Sequence, residues 1–529
     1  MKIRYLGRRG ILFMISTIMA SMLFTGCVDN STNNPVLSPE ATDYAQVERT
    51  PLPQLAPQPS IYDNEEPINY TISRTISSNM VVQRNTYFNV FGWSSNKGGV
   101  LYGEFMGEKR YAVIDEKGEW SMQFSSHEAT TTAQTLKIYP KNGKTTEFTD
   151  ILIGDVWIIS GQSNAELVFS NTVHKNPEYK KEIKKEDLIR IFVQTRADVL
   201  EVKDKVDLTK PQDNVAKSYR KWYKTTLSTV NEFSALGYYF AKELSKTVPD
   251  IPIGVVMAAA GGATLHELMP SNVATSCGFT DAPTVPVSGF YNALIHPFTK
   301  NSITGMVFYQ GESEAGGNQY KVYAENLKKT VEEYRRIWNY YFPFINVQLS
   351  THMGDSPMLW PQLPDIRAEQ YNAYKNIQNS YIVTAMDQNF KKGDADWAHP
   401  YYKLELGRRA ASIAASVVYK KIDSEYAFSP EPAKITWENT SVLIDFKYIG
   451  DGLKLLEGDT LVGFVLYDEL GAAACKAELI DSNTIKLTPT VIMDSIIGFG
   501  YGMEQDASPT KANLANSIGF PMPAMKILK

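Results

Sequence analysis

Cysteine is nearly absent from this chain of 529 residues: only Cys27, Cys277 and Cys475 occur. The first falls in a leader segment and the other two in different expected domains. A disulfide framework is therefore not indicated, and two free, buried thiols are expected. Long basic runs are missing as well, and the formal net charge is −5, which argues against nucleic acid as a partner. There are six histidines, and neither H-E-x-x-H nor clustered His/Cys spacing is found, so zinc hydrolysis has little support. The turn "GQSNA" comes near the G-x-S-x-G elbow of α/β-hydrolases, but Ala165 stands where the second glycine belongs.

What is present is an ordinary soluble composition, 43% hydrophobic and 21% charged, over a length that implies two or three domains. Aromatics reach 12%, which suits carbohydrate stacking and equally suits β-rich cores. The first residues carry Lys2, Arg4, Arg8 and Arg9, then the apolar stretch "ILFMISTIMASMLF" and "TGC". This is the anatomy of an export signal over 1–26, with Cys27 placed for lipidation as in a bacterial lipobox. Phe24 occupies the place usually held by leucine, and plain secretion is the alternative. Loss of the signal removes four cations and no anions, taking the formal charge from −5 to −9. An exported envelope lipoprotein, held on the membrane by a lipid at Cys27, is the expected location.

Residues 27–66 are rich in Pro, Asn, Ser and Thr and read as a tether. Short alternating segments over 67–151, with an Asn142-Gly143 hairpin signal, predict an antiparallel β-sandwich domain. From 152 to 425 the rhythm changes. Apolar runs "VWIIS", "IGVVMAAA", "ITGMVFYQ", "FPFINVQL" and "SYIVTAM" alternate with longer amphipathic helical patterns. That predicts an α/β domain with a parallel sheet covered on both faces, whose chemistry gathers beyond the carboxyl ends of the strands. Residues 426–529 return to short strands and form a C-terminal β region.

Ser163 stands at the end of the first of those apolar runs, a good place to present a nucleophile. A serine nucleophile needs a base, an orienting group and oxyanion donors. Among the histidines, His127 falls in the β domain and His174 in a polar segment, while His266, His296 and His352 have no acid close in sequence. "GDADWAHPYYK" differs, with Asp396 three residues before His399 and Asp394 as a second acid. Taken alone, D-x-x-H fits a helix cap better. "AAAGGATLHE" offers Gly261 and Gly262, and "FYQGESEA" offers Gln310 and Glu312. By themselves these read as a tight turn and a polar strand end.

As a set, "GDVWIISGQSNAE", "GGATLHEL", "FYQGESEA" and "DWAHPYYKLELGRRAA" resemble the successive blocks of the sialate O-acetylesterases, carbohydrate esterases of SGNH type. The likeness extends upstream through "NMVVQRNTYFNVFGW" and downstream to "ANLANSIGFPMPA". It implies a flavodoxin-like SGNH core, Ser163 as nucleophile, His399 as base and Asp396 as its orienter. It also implies oxyanion donors from the Ser163 N–H, Gly261 or Gly262, and Gln310. Asn164 and Glu312 are substrate-binding candidates. The family's methionine is replaced by Ala165, a usually acidic place by His266 and a usual tryptophan by Leu268, which touches the expected substrate rim. The expected activity is removal of O-acetyl groups from glycans, sialic acids first, without metal or organic cofactor. Acetylated xylan or another plant glycan is the alternative substrate, and an inactive glycan-binding lipoprotein is the alternative from another class.

Overall fold

The computed structural model describes residues 66–175, 177–183, 186–200, 206–280, 285–351, 360–388, 395–396 and 399–529. The expected signal, Cys27 and the tether up to residue 65 lie outside them, as do His352 and Asp394. Among the described residues no helix is long and apolar enough to cross a membrane.

Eight strands open the described chain: Tyr70–Ile72 (β1), Val81–Gln83 (β2), Phe88–Ser94 (β3), Val100–Phe105 (β4), Glu108–Val113 (β5), Glu119–Phe124 (β6), Thr130–Pro140 (β7) and Thr146–Gly161 (β8). Strict alternation decides their faces. In β6, Trp120, Met122 and Phe124 point inward while Ser121 and Gln123 face water. β1, β3 and β6 form one antiparallel sheet, and β4, β5 and β7 join β8 in a larger one. The first half of β8 pairs with β7 and β2, and the second half runs into the parallel sheet between β11 and β12, defined below. Every residue from Ile151 to Gly161 is buried, which is why this stretch, covered on both faces, is mostly apolar; the buried Asp155 is paired with Arg84. The boundary expected at 151–152 falls inside this strand.

The parallel sheet continues with Ile189–Gln194 (β9), Trp222–Lys224 (β10), Ile253–Ala259 (β11), Gly305–Tyr309 (β12), Phe344–Gln348 (β13) and Ser380–Thr384 (β14). Its order is β10-β9-β11-β8-β12-β13-β14, with only β10 antiparallel to its neighbour. β9 was not expected, because Arg190 interrupts its apolar run. The structure buries that arginine and pairs it with Asp150 and the Asp187 carbonyl, leaving its Nε without a partner among the described residues. Setting β9 and β10 aside, the order β11-β8-β12-β13-β14 is the 2-1-3-4-5 arrangement of a doubly wound sheet, whose switch point lies between β8 and β12.

Right-handed crossovers send the helices to opposite faces on either side of that point. Helix Ala235–Thr247 packs with Leu404–Val417, and helix Tyr323–Trp338 with Leu363–Asn376. The third of these buries Tyr323, Leu327, Val331 and Tyr334, a spacing of three and four, and stops at Asn339 in the left-handed region with φ +46°.

A seven-stranded antiparallel sheet spans Glu431–Trp437 to Met525–Leu528 and carries its own apolar core around Ile444, Leu466, Leu487 and Phe499. It docks through polar groups that behave like extra backbone. Gln348 donates to the Ala524 carbonyl (2.8 Å) and accepts from the Ala524 N–H (2.9 Å). The fully buried Arg367 donates to the carbonyls of Glu504 and Gln505 at 2.7 and 2.9 Å. The late "GFPMPA" segment therefore holds the C-terminal sheet to β13. Cys277 and Cys475 are free thiols as expected, but each is half-buried rather than buried.

Candidate active site

β8 ends at Gly161, whose φ of +128° and tight packing leave no room for a side chain: a Cβ there would lie 2.0 Å from the Tyr309 carbonyl oxygen on β12. The Gln162 carbonyl then accepts the N–H groups of Ala165 and Glu166, starting a single helical turn at Ser163. The first N–H groups of a helix have no partner within it. Among the described residues nothing takes the Ser163 N–H. Ser163 is half-buried at the carboxyl end of β8, at the switch point.

Ala395–Asp396 (β15) and His399–Pro400 (β16) form a two-stranded antiparallel ladder in which Asp396 stands opposite His399. The Nε2 of His399 lies 2.7 Å from the Ser163 Oγ. The other described histidines are elsewhere: His174 is exposed, His296 bonds the Gln212 carbonyl, and His266 stacks on Phe279 with ring centroids 4.7 Å apart. His127 packs against Phe105 in the N-terminal region.

The two glycines that follow β11 differ. Gly261 donates its N–H to Glu166 Oε2 at 2.6 Å, whereas no described residue takes the Gly262 N–H. Gly262 is exposed, has φ +75°, and a Cβ on it would meet open space. A Cβ on Gly261 would lie 3.8 Å from the Ser163 Cβ, so this turn stands beside the serine. Gln310 is fully buried. Its amide nitrogen donates to the Ala263 carbonyl (3.2 Å) and to Glu314, and its oxygen accepts from the Tyr323 hydroxyl (3.0 Å). Both of its amide protons have partners inside the protein. The geometry thus departs from the expectation that Gln310 donates to an oxyanion.

Asn164 and Glu312 depart from expectation too, being 1% and 4% exposed. They face one another beneath the serine: Asn164 Nδ2 donates to Glu312 Oε1 at 2.6 Å, and Lys403 Nζ donates to Asn164 Oδ1 at 2.6 Å. The sequence offered no sign of this lysine beyond its place four residues after His399. It is fully buried over the Tyr309 ring, and burial pushes it down to about 7 against the opposing pull of Glu312. Burial likewise raises Glu312, and raises Glu314 to about 7. On the other side of Ser163, Gln162 Oε1 accepts the N–H groups of Gly311 (3.1 Å) and Ser313 (3.4 Å). The residues flanking Ser163 are therefore both fastened to the 311–313 segment.

Ala165 and Leu268, expected at the substrate rim, are fully buried and cannot line it, whereas His266 is half-buried and stacks on Phe279. Arg196, just beyond the carboxyl end of β9, is exposed and has no carboxylate in ion-pair reach among the described residues. Its backbone N–H donates to Glu166 Oε1 at 2.9 Å; burial raises Glu166 and Glu267 above the ordinary carboxylate value, and the Arg196 charge only partly opposes this.

Residues 153–416 match the model of a family described as carbohydrate esterase, sialic acid-specific acetylesterase. The chain is 25% identical over 352 residues to the sialate O-acetylesterase of Mus musculus, covering 56% of this chain and 62% of that protein. It is 26% identical over 296 residues to the Homo sapiens sialate O-acetylesterase, covering 49% and 54%. The matches thus span less than two thirds of those relatives' length. A crystal structure of a carbohydrate acetylesterase from Xanthomonas citri superposes with a TM-score of 0.73 at 22% identity, covering 87% of this chain and 99% of that one, and shares its fold.

Proposed function

Because residues 153–416 form a domain of the sialic acid-specific carbohydrate acetylesterase family, we propose that the protein hydrolyses O-acetyl esters on carbohydrate through an acyl-enzyme on Ser163. The observation that carries this is the 2.7 Å contact between Ser163 Oγ and His399 Nε2. Ser163 Oγ attacks the acetyl carbonyl carbon while His399 Nε2 takes its proton. The N–H groups of Ser163 and Gly262 receive the oxyanion. Collapse breaks the ester bond, and His399 returns the proton to the departing sugar oxygen. Water, deprotonated by the same nitrogen, then attacks the acyl carbon; the bond to Ser163 Oγ breaks, the oxygen takes the proton back from His399, and acetate leaves. Asp396, opposite His399 in the ladder, steadies the imidazolium. The SGNH assignment belongs to the same proposal, supported by the 2-1-3-4-5 order and the serine at the switch point.

For the sugar we propose an O-acetylated sialic acid. Arg196 supports this reading, since it offers an exposed guanidinium to a sugar carboxylate. The half-buried Glu166, which accepts the Gly261 N–H beside Ser163, favours the second reading, a neutral acetylated plant glycan. Acetate release from 9-O-acetylated sialic acid and from acetylated xylan, each beside a Ser163→Ala control, decides between them. Serine-dependent release from neither, nor from an aryl acetate, would sink the esterase reading. Lipid anchoring at Cys27 completes the proposal, and a Cys27→Ser protein that stays in the membrane fraction would refute it.

A further inference from the structure

The groups beneath the nucleophile make a connected set that the chemistry above does not use. Lys403 lies at the end of the segment that carries His399, immediately before helix Leu404–Val417. Its ammonium reaches Asn164 Oδ1, and Asn164 Nδ2 reaches Glu312 Oε1, both at 2.6 Å. Donor on one side and acceptor on the other leave the Asn164 amide one orientation. Asn164 is the next residue after Ser163, so that orientation also fixes the peptide linking the two. All three side chains are buried, and no described group takes the second Glu312 oxygen. An amide held between a lysine and a carboxylate in a water-poor interior is a stiff link.

The rest of the base segment is tied down less directly. Tyr401 offers its carbonyl to the Thr172 hydroxyl, and the Tyr402 hydroxyl donates to Glu182 at 3.0 Å. Neither contact touches the nucleophile turn. Lys403 does, so it joins the chain that presents the base to the chain that presents the serine, 236 residues apart in sequence.

We propose that Lys403 is a positioning residue: through Asn164 it sets the Ser163 turn against the His399 segment, and so maintains the geometry of proton transfer. This rests on Ser163 as nucleophile and deepens that reading. Removing the Lys403 link leaves substrate binding untouched and loosens the serine–histidine contact, and a misplacement of about 1 Å costs about 10²-fold in rate. The expected signature is a fall in kcat of about 10- to 100-fold with KM unchanged.

The simple variant Lys403→Met leaves Glu312 as an uncompensated buried charge and can fail to fold for that reason alone. The test is therefore the charge-balanced double variant Lys403→Met/Glu312→Gln, assayed on an aryl acetate beside wild type and Ser163→Ala. A folded double variant with depressed kcat and wild-type KM supports the proposal. Wild-type kcat would overturn it, because the lysine would then only neutralise Glu312. A rise in KM with kcat intact would overturn it equally. If the double variant does not fold, Asn164→Ala replaces it, with the same expected kcat loss and the same overturning result. Activity retained in Ser163→Ala would strike the nucleophile assignment instead, so the two failures are distinguishable.

Discussion

His399 and Ser163 touch through Nε2 and Oγ at 2.7 Å although they are 236 residues apart in the chain. A parallel sheet makes this ordinary: the carboxyl ends of its strands form one edge, and loops far apart in sequence meet there. Substituting His399→Ala or Ser163→Ala should reduce kcat on an aryl acetate by at least about 10²–10⁴-fold, the range of general-base catalysis. Neither should shift the melting temperature by more than about 2 °C, since both groups are only half-buried surface contributors. A large drop in Tm would instead mark the pair as structural.

Gly262 and Gln310 should respond in opposite ways. Gly262→Ala places a Cβ on a residue with φ +75° and disturbs an N–H that no described residue takes, so kcat should fall by about 10²-fold while KM changes little. Gln310→Ala leaves the Ala263 carbonyl and the Glu314 carboxyl without their donor, at about 1–3 kcal/mol each, and should chiefly lower Tm. If Gln310→Ala instead lost 10²–10³ in kcat at normal Tm, the glutamine would be an oxyanion donor after all.

Arg196 allows the sugar to be interrogated. With an acidic sugar as substrate, Arg196→Ala should raise KM for a 9-O-acetylated sialic acid about tenfold or more relative to its effect on acetylated xylan, roughly the loss of one charge-assisted hydrogen bond. Equal effects on both substrates would remove the arginine from carboxylate recognition.

Glu314 gives a pH signature in stability. Burial raises it to about 7, above the ordinary value of 4.5. The folded state therefore holds this proton more tightly than the unfolded chain does. Its contribution to stability is complete below about 4.5 and is lost as pH rises through about 7. Glu314→Gln should flatten the Tm-against-pH curve across that window, which thermal melts at pH 4.5, 6 and 8 would show.

Much of this was legible in the sequence, because continuous apolar runs can only be strands covered on both faces, and β8, β11, β12, β13 and β14 all announced themselves that way. β9 did not, since Arg190 reads as a surface residue until Asp150 and a carbonyl are seen to enclose it. Ser163 and His399 were singled out at turns, but only the family resemblance gave them roles. Their support was not legible: Asn164 and Glu312 looked like ligand-facing polar groups, and nothing marked Lys403 as buried. A polar network has no periodicity, and its members are specified by partners that only the fold brings together.

β8 bears on how such a protein can be rearranged. One uninterrupted strand supplies a ladder partner to the N-terminal β7 at one end and leads into Ser163 at the other. The N-terminal strands cannot be exchanged as a cassette, because any junction between residues 151 and 161 cuts a run of residues that are all buried. Recombination, natural or engineered, must cut upstream of β1 or accept the β domain and the Ser163 edge as a single heritable unit.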